Sequence, residues 1–435
     1  MPPISTTSKS LTHQTALETT QPVKPKRIAF ALGRVLKATI YGFFSFGVML
    51  LLIEGFLALN HIGEQEYLKV DPAIGFAHLE NKLVTDRSES LGIDKINSSG
   101  LTDTEHGFTK TPGTVRIAIL GDSITEALQL PIKERFARVL ESKLNAKSTQ
   151  NFEVINFGVG GFGTGHEYLQ FVRDVRRYQP DQVILMYHQG DETENSPDGS
   201  KWSLQPTFTL NDANAPQIRY QEFDTWRHSS SAAPLTFFDW GRRNSHIWQC
   251  LLQTHSSLKN EALYKRVTEL CTKISKGTQK ILCNLSPDFK RAIAAKSNRE
   301  EQSTNADRQR LLKDAHLLND VQVAPSQYDA PQQWLLTQKL IELLNEECHR
   351  HNIKLLIAFV PALEKPISSR LDFSKKIEEL QKLGKKDGFE TLNLSTKFYA
   401  AEKETSKPII LLAHLSPRGH ELVADAISTY YLSKR

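Results

Sequence analysis

Residues 115–131 read VRIAILGDSITEALQLP. The short apolar run Val115–Leu120, closed by Gly121-Asp122-Ser123, reads as a buried strand ending in a sharp turn. The pattern repeats downstream. Phe152–Phe157 (FEVINF) is a second strand, ended by the glycine-rich GVGGFGTG, and Gln182–Tyr187 (QVILMY) a third, ending at HQGDE. Lys354–Val360 (KLLIAFV) and Phe389–Leu394 (FETLNL) continue the series. Amphipathic helices are expected between and after these strands, at Pro131–Asn145, His166–Tyr178, Gln332–Asn352, Phe373–Lys386 and His420–Leu432. Strand–helix alternation of this length predicts an α/β fold, a parallel sheet covered on both faces. In such sheets the site lies beyond the carboxyl ends of the strands. Three of those ends carry GDS, GVGG and HQGDE.

Outside this repeat the chain changes character. Residues 197–330 contain Pro/Asn/Asp turns, a Ser run and a lysine-rich stretch, and read as a long, partly helical insertion in a domain over 113–435. Residues 60–112 read as a juxtamembrane segment of short strands and turns. From Ala38 to Ile53 there is no charge, and the apolar run continues past Glu54 to Leu59. A helix over 38–59 rises about 33 Å, enough to cross a bilayer core of about 30 Å. Residues 1–37 hold six basic side chains and one acidic one, so this tail is expected to be disordered and cytoplasmic. The main domain is then extracytoplasmic, periplasmic in a Gram-negative cell, with the helix as an uncleaved anchor. Basic and acidic groups balance over the rest of the chain. No basic footprint or motif for nucleic acid is present, and none is expected as a partner; protein partners are not specified by the sequence. Four cysteines, Cys250, Cys271, Cys283 and Cys348, follow the anchor and allow three disulfide pairings. The tract Cys348-His349-Arg350-His351 reads as a solvated helix end rather than a metal site.

Ser123 sits where a strand turns into a helix, a place that can hold its Oγ as a nucleophile. Asp122 can orient that turn or cap the helix. His414, ahead of the last helix in LLAHLSPRGHELVADAI, is a candidate general base, whereas His420 opens the helix and reads as a capping or packing residue. Gly158, Gly160, Gly161 and Gly163 allow backbone N–H groups to converge on a developing oxyanion. The spacing G-x-G-G-x-G does not fit a dinucleotide fingerprint, and no Walker lysine is present.

The order GDS, then VINFGVGG, then G-acid-acid, then a late H…GH resembles the SGNH (GDSL-type) hydrolase superfamily, most closely its membrane-anchored bacterial members. The matching segments run from DPAIGF (71–76) and INSSGLTDTE (96–105) to HLSPRGHELVADAI (414–427). The resemblance implies a three-layer α/β/α, flavodoxin-like domain with no metal and no organic cofactor. It implies ester hydrolysis or acyl transfer, possibly on an acylated glycan. Ser123 would be nucleophile and an oxyanion donor, Gly160 or Gly161 a second donor, and His414 the base.

Two departures bear on activity. The family has an Asn-Asp pair after the third strand, and this chain has Gly190-Asp191-Glu192. Either Gly190 or Asp191 stands where the Asn amide donates, the first register being slightly preferred. Removing one such donor typically costs about 2.7–4 kcal/mol. The family's Asp before the base is also replaced, by Leu411 and Leu412. Some members of the superfamily work as a Ser–His dyad; otherwise a backbone carbonyl, or a carboxylate from elsewhere such as Glu192, orients His414. The alternative function is a binding or scaffold protein of the cell envelope on the same fold with degraded chemistry.

Overall fold

A computed structural model describes residues 25–60, 62, 67–188, 190–196, 205–220, 245–247, 250, 302–319, 330–361, 363, 374–402 and 408–434. The chain divides into two compact units, after Asn60. The described part of the first is one helix, α1 (Pro25–Leu59). Its stretch Arg34–Leu59 has a mean hydropathy of 2.1 and is long and apolar enough to cross a membrane. Large side chains such as Phe43, Phe44 and Leu51 are exposed along it. The helix begins at Pro25, not Ala38, which corrects the expected disorder of residues 25–37. Pro25 fits the first helical position, and Ala29, Ala31, Leu32, Arg34 and Leu36 supply good helix formers after it. Residues 1–24 lie outside the described residues.

The second unit begins with two antiparallel hairpins. The first pairs β1 (Leu68–Asp71) with β2 (Gly75–His78), and the second pairs β3 (Leu83–Asp86) with β4 (Gly92–Lys95). Then come β5 (Thr114–Leu120), α2 (Ser123–Glu126), α3 (Phe136–Lys147), β6 (Asn151–Asn156), α4 (Thr164–Arg173), β7 (Gln182–His188) and α5 (Gly190–Asn195). β8 (Thr207–Leu210) and β9 (Pro216–Arg219) form a hairpin within the expected insertion, followed by α6 (302–314) and β10 (Leu318–Asn319). Most of the insertion lies outside the described residues. The chain closes with α7 (Ala330–Arg350), β11 (Lys354–Val360), α8 (Ser374–Asp387), β12 (Glu390–Asn393), α9 (Ser395–Glu402) and α10 (Pro417–Ser433).

The main sheet is fully parallel, in the order β12-β11-β7-β5-β6. Counting its strands along the chain gives 2-1-3-4-5, the flavodoxin-like order, whose switch point lies between β5 and β7. Period-two alternation sends successive side chains to opposite faces. Ala118, Leu120, Val183, Leu185 and Tyr187 pack under α4 and α7, while Ile117, Ile119, Ile184 and Met186 pack under α3 and α10. Both faces are thus dry, giving the expected three-layer α/β sandwich.

The segment expected to be merely juxtamembrane is part of this body from residue 67 onward. Ala73, Ile74, Phe76 and Leu101 enter the core of the α4/α7 face. Cys348, expected at a solvated helix end, is fully buried there as a free thiol, because Leu340, Ile341, Leu344 and Cys348 share one face of α7.

Candidate active site

Ser123 is the first residue of α2, immediately beyond β5. The Asp122 side chain caps this short helix by accepting the Ile124 N–H at 2.8 Å. Two glycines make the turn possible. A Cβ on Gly121 would strike the Thr125 side chain, and one on Gly158 would strike the Glu126 and Thr125 backbone. The loop after β6 therefore lies directly against α2. Within it, Val159 and Phe162 close a turn, and Gly161 takes the left-handed φ of +79° that the third turn position requires. A Cβ on Gly160 would lie 3.6 Å from the Ser123 Cβ. Among the described residues, the N–H groups of Ser123 and Gly160 meet no acceptor. They are available to an oxyanion beside Ser123.

His414 comes from the loop before α10. The Ile410–Leu415 bridge and the bond from Leu411 N–H to the His414 carbonyl, 2.9 Å, fold this loop tightly. Ser416 then caps α10 by accepting the Gly419 N–H. The His414 Nε2 stands 3.0 Å from the Ser123 Oγ, and its ring is 28% exposed. His420, in contrast, is fully buried, stacks on Phe136 and accepts the Phe136 N–H at Nδ1. Burial pushes it down to about 3, so it is a neutral packing residue, as expected.

The carboxylate that holds His414 is Glu89, which sequence reasoning missed. Its Oε1 lies 2.8 Å from the His414 Nδ1. The same carboxylate accepts the backbone N–H groups of Leu412, Ala413 and His414 at 3.2, 3.0 and 3.0 Å. An ionised carboxylate only accepts, so Nδ1 carries the ring proton and Nε2 is free to accept from the serine hydroxyl. Burial raises the Glu89 pKa, but the ring and amide hydrogen bonds outweigh it and hold the group below its ordinary value. Leu412, at one of the two positions where an Asp was expected, contributes a backbone N–H, and the acid comes from the β3–β4 turn.

That turn is a built support. Asp86 accepts from the Ser88 N–H and Oγ, both at 2.7 Å, and Val84 packs with Ile96 and Leu128. On β4, Asp94 accepts from the Ile132 N–H at 2.6 Å and the buried Arg135 at 3.1 Å. Gly92 lies so close to the Leu128 carbonyl that an added Cβ would overlap it. Gly92→Ala is therefore expected to destabilise the domain by about 1–3 kcal/mol, the usual range for overpacking, and to reduce turnover by displacing Glu89. Thermal unfolding and steady-state kinetics on one preparation check both effects.

Glu192 does not orient His414. It is buried, accepts from the Tyr187 hydroxyl at 2.7 Å and pairs with Lys376 at 2.6 Å. Gly190 opens α5 and donates its N–H to the His188 Nδ1 at 3.1 Å. Asp191 is fully buried and accepts the His188 N–H at 3.3 Å. Asp122, His188 and Asp191 each bring one polar atom within 4.8 Å of the others. Burial pushes the carboxyls of Asp122, Asp191 and Glu167 up, and for Asp191 the neighbouring charges of Glu167 and Asp122 push the same way.

No family model matches the chain, and no curated protein matches it in sequence. Solved structures with a similar fold include the acetyl xylan esterase AlAXEase, with 14% identity over 73% of this chain and 99% of that one, at a TM-score of 0.34. LAE5, an alpha/beta hydrolase enzyme from the metagenome of Lake Arreo, Spain, matches 74% of this chain and 96% of its own, with 9% identity and a TM-score of 0.36. Axe2, an acetylxylan esterase from Geobacillus stearothermophilus, matches 72% and 92%, with 10% identity and a TM-score of 0.33.

Proposed function

We propose that the chain is a serine esterase or O-acyltransferase, held at a membrane by α1 with its catalytic domain outside the cytoplasm. The observation that carries this reading is the continuous chain of hydrogen bonds from Ser123 through His414 to Glu89. Each link has the geometry a triad needs, and the arrangement opens at the switch point of a parallel sheet.

In the first half-reaction the Ser123 Oγ attacks the ester carbonyl carbon as His414 Nε2 takes its proton. The carbonyl electron pair moves onto oxygen, where the Ser123 and Gly160 N–H groups balance the charge. Collapse restores the carbonyl and breaks the bond to the alcohol, which leaves with the proton from His414. An acyl ester on Ser123 remains. In the second half, water or a sugar hydroxyl gives its proton to His414 and attacks that ester; collapse breaks the bond to the Ser123 Oγ, which takes the proton back from His414. Which of the two enters decides hydrolysis or transfer. An acylated envelope glycan is the substrate class that suits an anchored domain outside the cytoplasm.

A binding or scaffold role on the same fold is the second reading. It is favoured by the run Gly190-Asp191-Glu192, which holds no Asn where the resemblance calls for an amide donor. A fluorophosphonate probe separates the two. The esterase reading expects one adduct per chain on the Ser123 Oγ of the full-length protein, located by peptide mass spectrometry. Absence of that adduct on folded protein favours the scaffold.

A further inference from the structure

We propose that Asp122, His188 and Asp191 form a binding site for one divalent transition cation of the Zn²⁺ or Mn²⁺ class, next to the nucleophile. The SGNH resemblance implies no metal; the site joins Asp122 of the GDS turn to His188 and Asp191 from the end of β7 and the start of α5.

The geometry points to a shared cation. The His188 Nδ1 and Asp122 Oδ2 are 3.9 Å apart. That is too long for a hydrogen bond, whose heavy atoms lie within about 3.2 Å. It fits two ligands of one ion, since metal–ligand distances of about 2.0–2.2 Å put neighbouring ligands roughly 3–4 Å apart. Asp191 completes the group, all three donor atoms lying within 4.8 Å of one another. An imidazole with two carboxylates is the donor set of Zn²⁺, Mn²⁺ or Fe²⁺ rather than of Ca²⁺, which takes oxygen ligands. The Gly190 N–H, 3.1 Å from the same His188 nitrogen, is the contact an ion there would compete with.

A second observation is independent of that spacing. Asp191 is fully buried, and while its Oδ2 accepts the His188 N–H at 3.3 Å, its Oδ1 has no partner. Glu167, at the start of α4 and also fully buried, has no partner at either oxygen. Buried carboxylates are ordinarily paired, hydrogen-bonded or metal-bound. The His188 imidazole stands beside Asp122 and Asp191. Its ring is 22% exposed, which gives an ion a route in.

The test uses the full-length chain in detergent, stripped with EDTA and dialysed against Zn²⁺ or, separately, Mn²⁺. The site predicts one ion per chain by elemental analysis. Asp191→Asn and His188→Gln, each checked for folding by circular dichroism, should each weaken binding at least tenfold. Both variants losing affinity while remaining folded supports the site. No retained ion, or undiminished affinity in the folded His188→Gln protein, overturns it. Because the readout is binding, it stands or falls separately from ester turnover at Ser123.

Discussion

Ser123→Ala is expected to lower kcat/KM for p-nitrophenyl acetate by about 10⁴–10⁶, the range seen when a triad nucleophile is removed. The substitution deletes one oxygen whose partner is the His414 Nε2. The turn that presents it is set by other groups: the Asp122 cap on Ile124 and the glycines at 121 and 158. Folding should therefore be unchanged, and the melting temperature should match wild type. The backbone N–H of residue 123 survives in alanine and Gly160 is untouched, so a residual rate above background should remain from the oxyanion site alone. Full turnover in the variant would remove Ser123 from its role. Loss of turnover with loss of the folded state would leave the nucleophile assignment to the adduct experiment.

Much of this site was legible before any coordinates. The run VRIAIL followed by GDS specifies a buried strand and a turn by local chemistry alone. The other parallel strands are equally plain, because a strand dry on both faces is nearly all apolar. His414 was readable because it sits just ahead of a strongly patterned helix. Glu89 was not. It lies 325 positions from His414, in the polar turn RSESLG, and nothing in the spacing of a surface turn marks one acid among many. The only signal was negative: Leu411 and Leu412 leave the base without a local acid, which points to a backbone carbonyl, a carboxylate from elsewhere, or no third member at all. Choosing it needed the tertiary pairing of the β3–β4 turn with the 409–416 loop. Asp191 and Glu192 show a related limit. Adjacent residues on a short helix point different ways, and the sequence does not say which carboxylate lies beside Asp122 and His188 and which pairs with Lys376.

Glu89→Gln is expected to lower kcat by about 10³–10⁴ with little change in KM, comparable to replacing the orienting acid of other serine triads. The physical reason is donor arithmetic. Glu89 receives four N–H groups, three from the backbone of 412–414 and one from the His414 ring. Gln offers one carbonyl oxygen, and its amide N–H₂ turns a second acceptor into a donor. The ring then loses the charge that stabilises the imidazolium formed during attack, and the loop loses the anchor that fixes its position. A role confined to structure would lower stability alone, so the KM-against-kcat split decides. Glu89→Asp supplies the second readout: the charge is kept on a shorter arm, so part of kcat should return. Linkage gives the third. The folded pKa of Glu89 is held below its ordinary value of about 4.3. Its contribution to stability is therefore complete above that unfolded value and is lost as pH falls through the lower folded one. The melting-temperature gap between wild type and Glu89→Gln should be widest near neutrality and close as the pH drops below about 4. A gap constant down to strong acid, with kcat unchanged, would assign the orientation of His414 to another group.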